Sequence, residues 1–232
     1  MNNQFIHRRT KLAENLQSGI AVIPTAKEVV RNKDAHFPYR FDSYFHYLTG
    51  FGEPESVIVI IGGKTPSSIL FCRGKNKEKE IWNGFRHGPE AAKNLLHCDE
   101  AYSIDEIDQI LPQLIENKDT IYTPLGIDVS WDQQIMGWLN QTRSRVREGI
   151  AAPEGLIDVR VMLDEMRLFK DPSELDTMRQ AAKISAEAHM LAMTATKPGK
   201  YEYAIEAEFL YHFKKNGSQF PAYTSIVAGG KN

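Results

Sequence analysis

The sequence is short of the features that would settle a function at a glance. Only two cysteines, Cys72 and Cys98, stand among its 232 residues. A disulfide-stapled secreted scaffold is thereby excluded. One bridge or two separate thiols remain, and reduced, buried thiols are the expectation. No apolar run approaches the ~18–20 residues of a membrane span, and the N-terminal stretch from Met1 to Arg9 lacks the apolar core of a signal peptide. A soluble, cytoplasmic protein without a membrane partner is therefore expected. Charge of one sign is also scarce. The net charge is −2, and no basic cluster forms a footprint for nucleic acid. Lys75, Lys77 and Lys79 are interleaved with Glu78 and Glu80, which predicts a solvated loop.

The most specific catalytic patterns are missing as well. There is no His-Glu-x-x-His, no Cys-x-x-Cys and no phosphate-cradling Gly-x-x-x-x-Gly-Lys-Ser/Thr. Gly229-Gly230-Lys231 is a faint echo of the last and lacks its spacing. Glu208 and His212 lie four apart on an expected helix, a spacing that suits a shared metal. A surface pair on the polar side of that helix is the simpler expectation, and Glu202 and Glu206 read the same way. His36, His46, His87 and His97 are scattered without a partner motif and read as loop or packing histidines. Asp105, Glu106 and Asp108 suit the first turns of a helix, and Asp128 and Asp132 flank Trp131 as capping residues. No internal repeat or low-complexity segment occurs.

What is present is a well-patterned globular chain, 42% hydrophobic and 25% charged, able to form a packed core. Leu12 and Leu16 mark an amphipathic helix over residues 4–17. Residues 19–24, 56–61 and 67–72 read as buried strands, the last two forming a hairpin around Gly62-Gly63. Helices are expected over 90–96, over 104–114 with Ser103 as cap and Glu106 three residues on, and over 131–142. A short strand spans 120–123. This order predicts an α/β layer domain ending near residue 165. A sharp junction follows. Asp171 is placed to cap a helix, Pro172 fits its first position, and Glu174 completes a capping-box pattern. The helix runs from about 172 to 195. A second spans about 201–215, with Gly217 placed to end it, and Ser225 to Ala228 read as a strand.

Residues 36–55 are dense in aromatics, with Arg40 and Asp42 set among them. The run Phe37 to Ile61 closely resembles the N-terminal domain of bacterial Xaa-Pro aminopeptidases, the aminopeptidase P family. So do Glu80-Ile81-Trp82-Asn83-Gly84, Glu165 to Glu174 (Glu-Met-Arg-Leu-Phe-Lys-Asp-Pro-Ser-Glu) and Phe220 to Val227. The resemblance covers essentially the whole chain. Departures at Phe37, Phe41, Tyr44 and His46 blur the subfamily.

The resemblance implies an α/β creatinase/prolidase-like N-terminal domain, residues 1–168. The start of an α+β pita-bread catalytic domain, residues 169–232, follows it. It implies two divalent metal ions, manganese by expectation, held by two aspartates, a histidine and two glutamates. None of those ligands corresponds to a position in this chain, and no catalytic residue is assigned here. The implied chemistry is metal-assisted hydrolysis of the bond before proline, a tertiary amide with no N–H for an ordinary peptidase to grip. Tyr223 matches a tyrosine beside the metals, and a strand-flanking packing role is its equal alternative. Trp82 matches a tryptophan that reaches a neighbouring subunit's site in tetrameric members, with an ordinary domain-interface role as the alternative. Arg40 and Asp34 are candidates for the site entrance. The implied partners are Xaa-Pro peptides and further copies of the chain, as a homodimer or homotetramer. The expectation is the front part of such an enzyme, inactive alone. A non-catalytic binding or oligomerisation module of the same family is one alternative. Prolidase and creatinase are the nearest enzyme alternatives.

Overall fold

The computed structural model describes residues 3–231. They form two compact units, one up to Met166 and one from Arg167. In chain order the first unit opens with α1 (Asn3–Asn15), β1 (Ile20–Pro24), β2 (Val30–Asn32), β3 (Ala35–His36), α2 (Ser43–Thr49) and β4 (Val57–Ile61). It continues with β5 (Ser67–Cys72), α3 (Lys77–Asn83), α4 (Gly88–Leu96), β6 (Glu100–Ser103), α5 (Ile107–Ile115) and β7 (Thr120–Thr123). It closes with α6 (Val129–Ser144), β8 (Gly155–Asp158) and α7 (Arg160–Leu168). The second unit holds α8 (Pro172–Ala195) and α9 (Glu202–Lys215).

Six strands make a mixed sheet in the order β6-β5-β4-β1-β7-β8. β1 pairs antiparallel with β4 (Ile20 opposite Ile61) and parallel with β7 (Ile20 opposite Ile121). β4 and β5 form the expected hairpin, Val57 opposite Phe71. Helices cover both faces, so β1 is apolar at consecutive positions. Side chains alternate across the sheet. Ala21 and Ile23 join a core built from α1, α2, α4 and α7, with Phe45, Leu48 and Leu163. Ile20 and Val22 join a second core with α5 and α6, around Phe71, Leu111, Trp131 and Trp138.

Two arginines of α1 tie neighbouring helix ends together. The last carbonyls of a helix have no partner within it. Arg9, buried, donates from Nη1 to the Leu48 carbonyl of α2 at 3.0 Å and from Nη2 to the Leu96 carbonyl of α4 at 2.6 Å. Arg8 donates to the Tyr47 carbonyl at 3.0 Å and lies over the Tyr47 ring at 4.2 Å.

Most caps expected from sequence are formed, but Asp132 lies inside α6 and accepts from the Gly126 N–H at 3.1 Å instead of capping the helix. Ser103 and Glu106 make a reciprocal capping box, although the first turn over Ile104–Glu106 is 3₁₀ before α5 begins. Asp171 accepts from the Glu174 N–H at 2.9 Å while Glu174 accepts from the Asp171 N–H at 2.9 Å. Gly217 follows the end of α9 with φ +84°, a conformation that favours glycine. Cys72 and Cys98 are free thiols in one core, and burial pushes the Cys72 thiol up to about 12.

Two expectations are corrected. The lysine-rich stretch is a helix from Lys77, because Asn76 caps it, accepting from the Lys79 N–H at 3.0 Å. Ser225 to Ala228 form no strand, since a strand needs a hydrogen-bonded partner and none lies alongside among the described residues. α2, β6, β8 and α7 are further elements that the hydrophobic pattern did not mark.

Asp128 carries a measurable share of α6. Its carboxylate accepts from the Ser130 N–H at 2.9 Å and lies 2.7 Å from the Lys27 ammonium. Hydrogen bonding to Lys27, then to Ser130, holds its carboxyl well below the usual range. A depressed carboxyl adds stability above its unfolded value, about 3.9, and loses it as pH falls through the folded value. Asp128→Ala is therefore expected to cost about 1 kcal/mol at pH 7. Urea melts should show that difference shrinking below about pH 4.

Candidate functional site

The first unit presents a projecting segment between β5 and α4. α3 has no buried residue, and Ile81, Trp82 and Phe85 are 77%, 87% and 64% exposed. At its base lies a polar cluster of buried Glu53 and Arg73 with half-buried His87. Glu53 accepts from the His87 N–H at 2.8 Å, and the same oxygen lies 2.5 Å from His87 Nδ1. Its other oxygen lies 3.5 Å from Arg73 Nη2. The sequence predicts a loop or packing role for His87 and singles out neither Glu53 nor Arg73. Their separations of 20 and 34 residues obey no helical or strand period, so no local pattern marks them. The nearest signal is Arg86-His87 between an aromatic and the Gly88-Pro89 helix start.

Arg40 and Asp34 are not brought together. Asp34 sits in the two-residue turn between β2 and β3. Arg40 donates to the Phe41 carbonyl at 3.0 Å and lies over that ring at 5.7 Å. No ion pair joins the two among the described residues. His46 stacks on Phe41 at 4.0 Å between centroids. Burial, then Arg40 and Arg8, pushes its pKa down, which keeps the ring neutral near pH 7.

In the second unit α8 packs against α9 and buries Ile184, Ala188 and Ala192, with His189 edge-on to Phe209 at 4.9 Å. Phe209, Phe213, Phe220, Pro221 and Ile226 line a cavity of about 540 Å³, and Tyr223, 74% exposed, stands at it. Met178, Met190, Leu191 and Met193 of α8 are exposed. A second cavity of about 580 Å³ is lined by Tyr201, Glu202, Glu206 and Gly229. Glu202 accepts from the Gly229 N–H at 2.7 Å. His212 does not face Glu208 as a metal pair. It lies 3.2 Å from Glu187 on α8, an interhelix contact. Among the described residues no group of three or more His, Cys, Asp and Glu is placed to hold a metal ion.

A family model for the aminopeptidase P N-terminal domain matches residues 5–122, more than half of the chain. The chain belongs to the aminopeptidase P family. Residues 176–232 match metallopeptidase family M24. Xaa-Pro aminopeptidase of Escherichia coli is 40% identical over 232 residues, covering 99% of this chain and 53% of that protein. The Haemophilus influenzae Xaa-Pro aminopeptidase is 37% identical, covering 99% and 51%. Among solved structures, Pseudomonas aeruginosa aminopeptidase PepP superposes with a TM-score of 0.95 at 41% identity, over 98% of this chain and 52% of that one. Zinc-substituted Escherichia coli aminopeptidase P in complex with product gives 0.93 at 38%, over 96% and 51%.

This aminopeptidase P chain spans about half the length of those relatives. Membership of a metallopeptidase family implies divalent metal in the family's whole enzymes. Among the described residues no three side chains able to ligate it gather, and His212, spaced four from Glu208, instead meets Glu187 in an interhelix contact. No helix among the described residues is long and apolar enough to cross a membrane.

Proposed function

We propose that this chain supplies the N-terminal domain, residues 1–168, and the opening helices of the catalytic domain, residues 169–232, of a metal-dependent Xaa-Pro aminopeptidase. The observation that carries the reading is its 40% identity, over nearly its whole length, to an Xaa-Pro aminopeptidase. The substrates are peptides with proline in second position. The ions, manganese in this reading, would be held by residues other than those of this chain, so its contribution is to shape the substrate site and present residues to it. The working form is a cytoplasmic homodimer or homotetramer.

Within that reading Trp82 and Tyr223 are the substrate-contacting residues, and Arg40 and Asp34 lie at the entrance. The exposure of Trp82 and Tyr223 supports the assignment, since each leaves a large aromatic ring free to be buried against a ligand. Joining the chain at Asn232 to the C-terminal half of the Escherichia coli relative provides the test. In that protein Trp82→Ala is expected to raise KM for an Xaa-Pro peptide about tenfold, and Tyr223→Phe to lower kcat/KM by a similar factor. Unchanged constants in both variants would remove these two residues from the site.

A further inference from the structure

The segment that carries Trp82 leaves β5 after Cys72 and enters α4 at Gly88, and one carboxylate meets both ends. Glu53, 9% exposed, faces Arg73, 5% exposed, at 3.5 Å through one oxygen. Through the other it takes the His87 N–H at 2.8 Å. A second tier lies above this base. Lys75 Nζ is 3.2 Å from Glu80 Oε1, and the same oxygen accepts from the Arg86 N–H at 3.3 Å. The Lys75 ammonium also sits 3.8 Å from the centre of the Phe85 ring. Its stem is wedged against the helix start, since a Cβ on Gly88 would come within 2.9 Å of Lys75 Cγ. Phe51 and Phe85 flank the His87 ring at 5.5 and 4.9 Å.

We propose that Glu53 is a positioning residue that clamps both ends of segment 73–87 and so fixes the direction of Trp82, with Lys75 as the brace above it. The proposal rests on the reading of Trp82 as a residue that meets substrate. An exposed ring on a short helix with no buried residue has little packing of its own to hold it. The clamp removes that freedom before any ligand arrives. A side chain already fixed in its working direction loses less entropy on binding. Neither Glu53 nor Lys75 has to touch the peptide.

The test uses the 232-residue chain and two variants. Glu53→Gln keeps an acceptor for the His87 N–H and removes the charge that faces Arg73. Lys75→Met keeps the stem against Gly88 and removes the ammonium. Amide exchange over residues 75–86 is expected to accelerate about tenfold in Glu53→Gln and about threefold in Lys75→Met, with β4 and α6 unchanged. Trp131 and Trp138 are buried, so fluorescence accessible to a polar quencher reports Trp82. Its anisotropy should fall in both variants, a change that a loss of overall stability alone would not produce. Unchanged exchange and anisotropy would overturn the proposal, as would acceleration spread equally over β4 and α6. If Glu53→Gln does not fold, Lys75→Met decides by the same criteria. Failure of the Trp82 reading has a separate signature: Trp82→Ala leaves KM unchanged while these exchange and anisotropy results stand.

Discussion

Phe71→Ala is expected to cost the first unit about 4 kcal/mol. Phe71 is fully buried on β5, opposite Val57 of β4 and Tyr102 of β6, with the Tyr102 ring 5.7 Å away. Strands on both sides hold its backbone, so the space left by the ring cannot close by local collapse. The loss is then the transfer free energy of the ring plus the cavity left behind. For a unit of this size that corresponds to a fall in Tm of about 8–16 °C. The urea midpoint should move with little change in slope, since the surface exposed on unfolding is nearly the same. Val161→Ala, at an exposed position of α7, is the control and should change stability by less than about 0.5 kcal/mol. A loss below about 1 kcal/mol at Phe71 would mean that the two-faced core is not packed as described.

Arg9→Met should come second, at about 3 kcal/mol. Methionine keeps much of the length and the apolar stem, so the difference isolates the guanidinium. Removing it strips a charged donor from the Leu48 carbonyl at the end of α2 and from the Leu96 carbonyl at the end of α4. Both then lose that partner at buried positions, each at a cost of about 1–3 kcal/mol. Burial lowers the Arg9 pKa, with Cys98 and Asp99 opposing that shift, and an arginine remains charged across the accessible pH range. The loss should therefore be the same at pH 6 and pH 9. Chemical denaturation measures the size, and amide exchange should show the ends of α2 and α4 opening first. A cost below about 1 kcal/mol would show that the helix ends find other partners.

These two residues show where sequence reading succeeds and where it stops. Phe71 lies in a continuous apolar run, and that run states its burial directly. Asp171, Pro172 and Glu174 announce α8 because every capping interaction is made within four residues. Ser103 and Glu106 do the same for α5. Arg9 could not be read that way, because its partners lie 39 and 87 residues away. α2 was hidden for another reason. Its aromatic positions look like a recognition cluster, although Asp42 caps it with bonds to the Tyr44 and Phe45 N–H groups at 2.8 and 2.9 Å. Ser225 to Ala228 have the composition of a strand, but a strand is a property of two segments and composition describes one. The same limit applies to the site. Trp82 and Tyr223 entered through resemblance to a family, and their exposure is what the structure adds. Glu53, Arg73 and His87 form a cluster only through the fold.

The central claim is that this chain is the N-terminal part of a metal-dependent Xaa-Pro aminopeptidase. The most direct measurement is release of arginine from an Arg-Pro-Pro peptide in the presence of Mn²⁺. The 232-residue chain alone would be compared with the chain joined at Asn232 to the C-terminal half of the Escherichia coli relative. The account predicts no turnover and no tight Mn²⁺ binding by the chain alone, and metal-dependent release by the joined protein. Release by the chain alone, or a folded, metal-loaded joined protein that leaves the peptide intact, would contradict it.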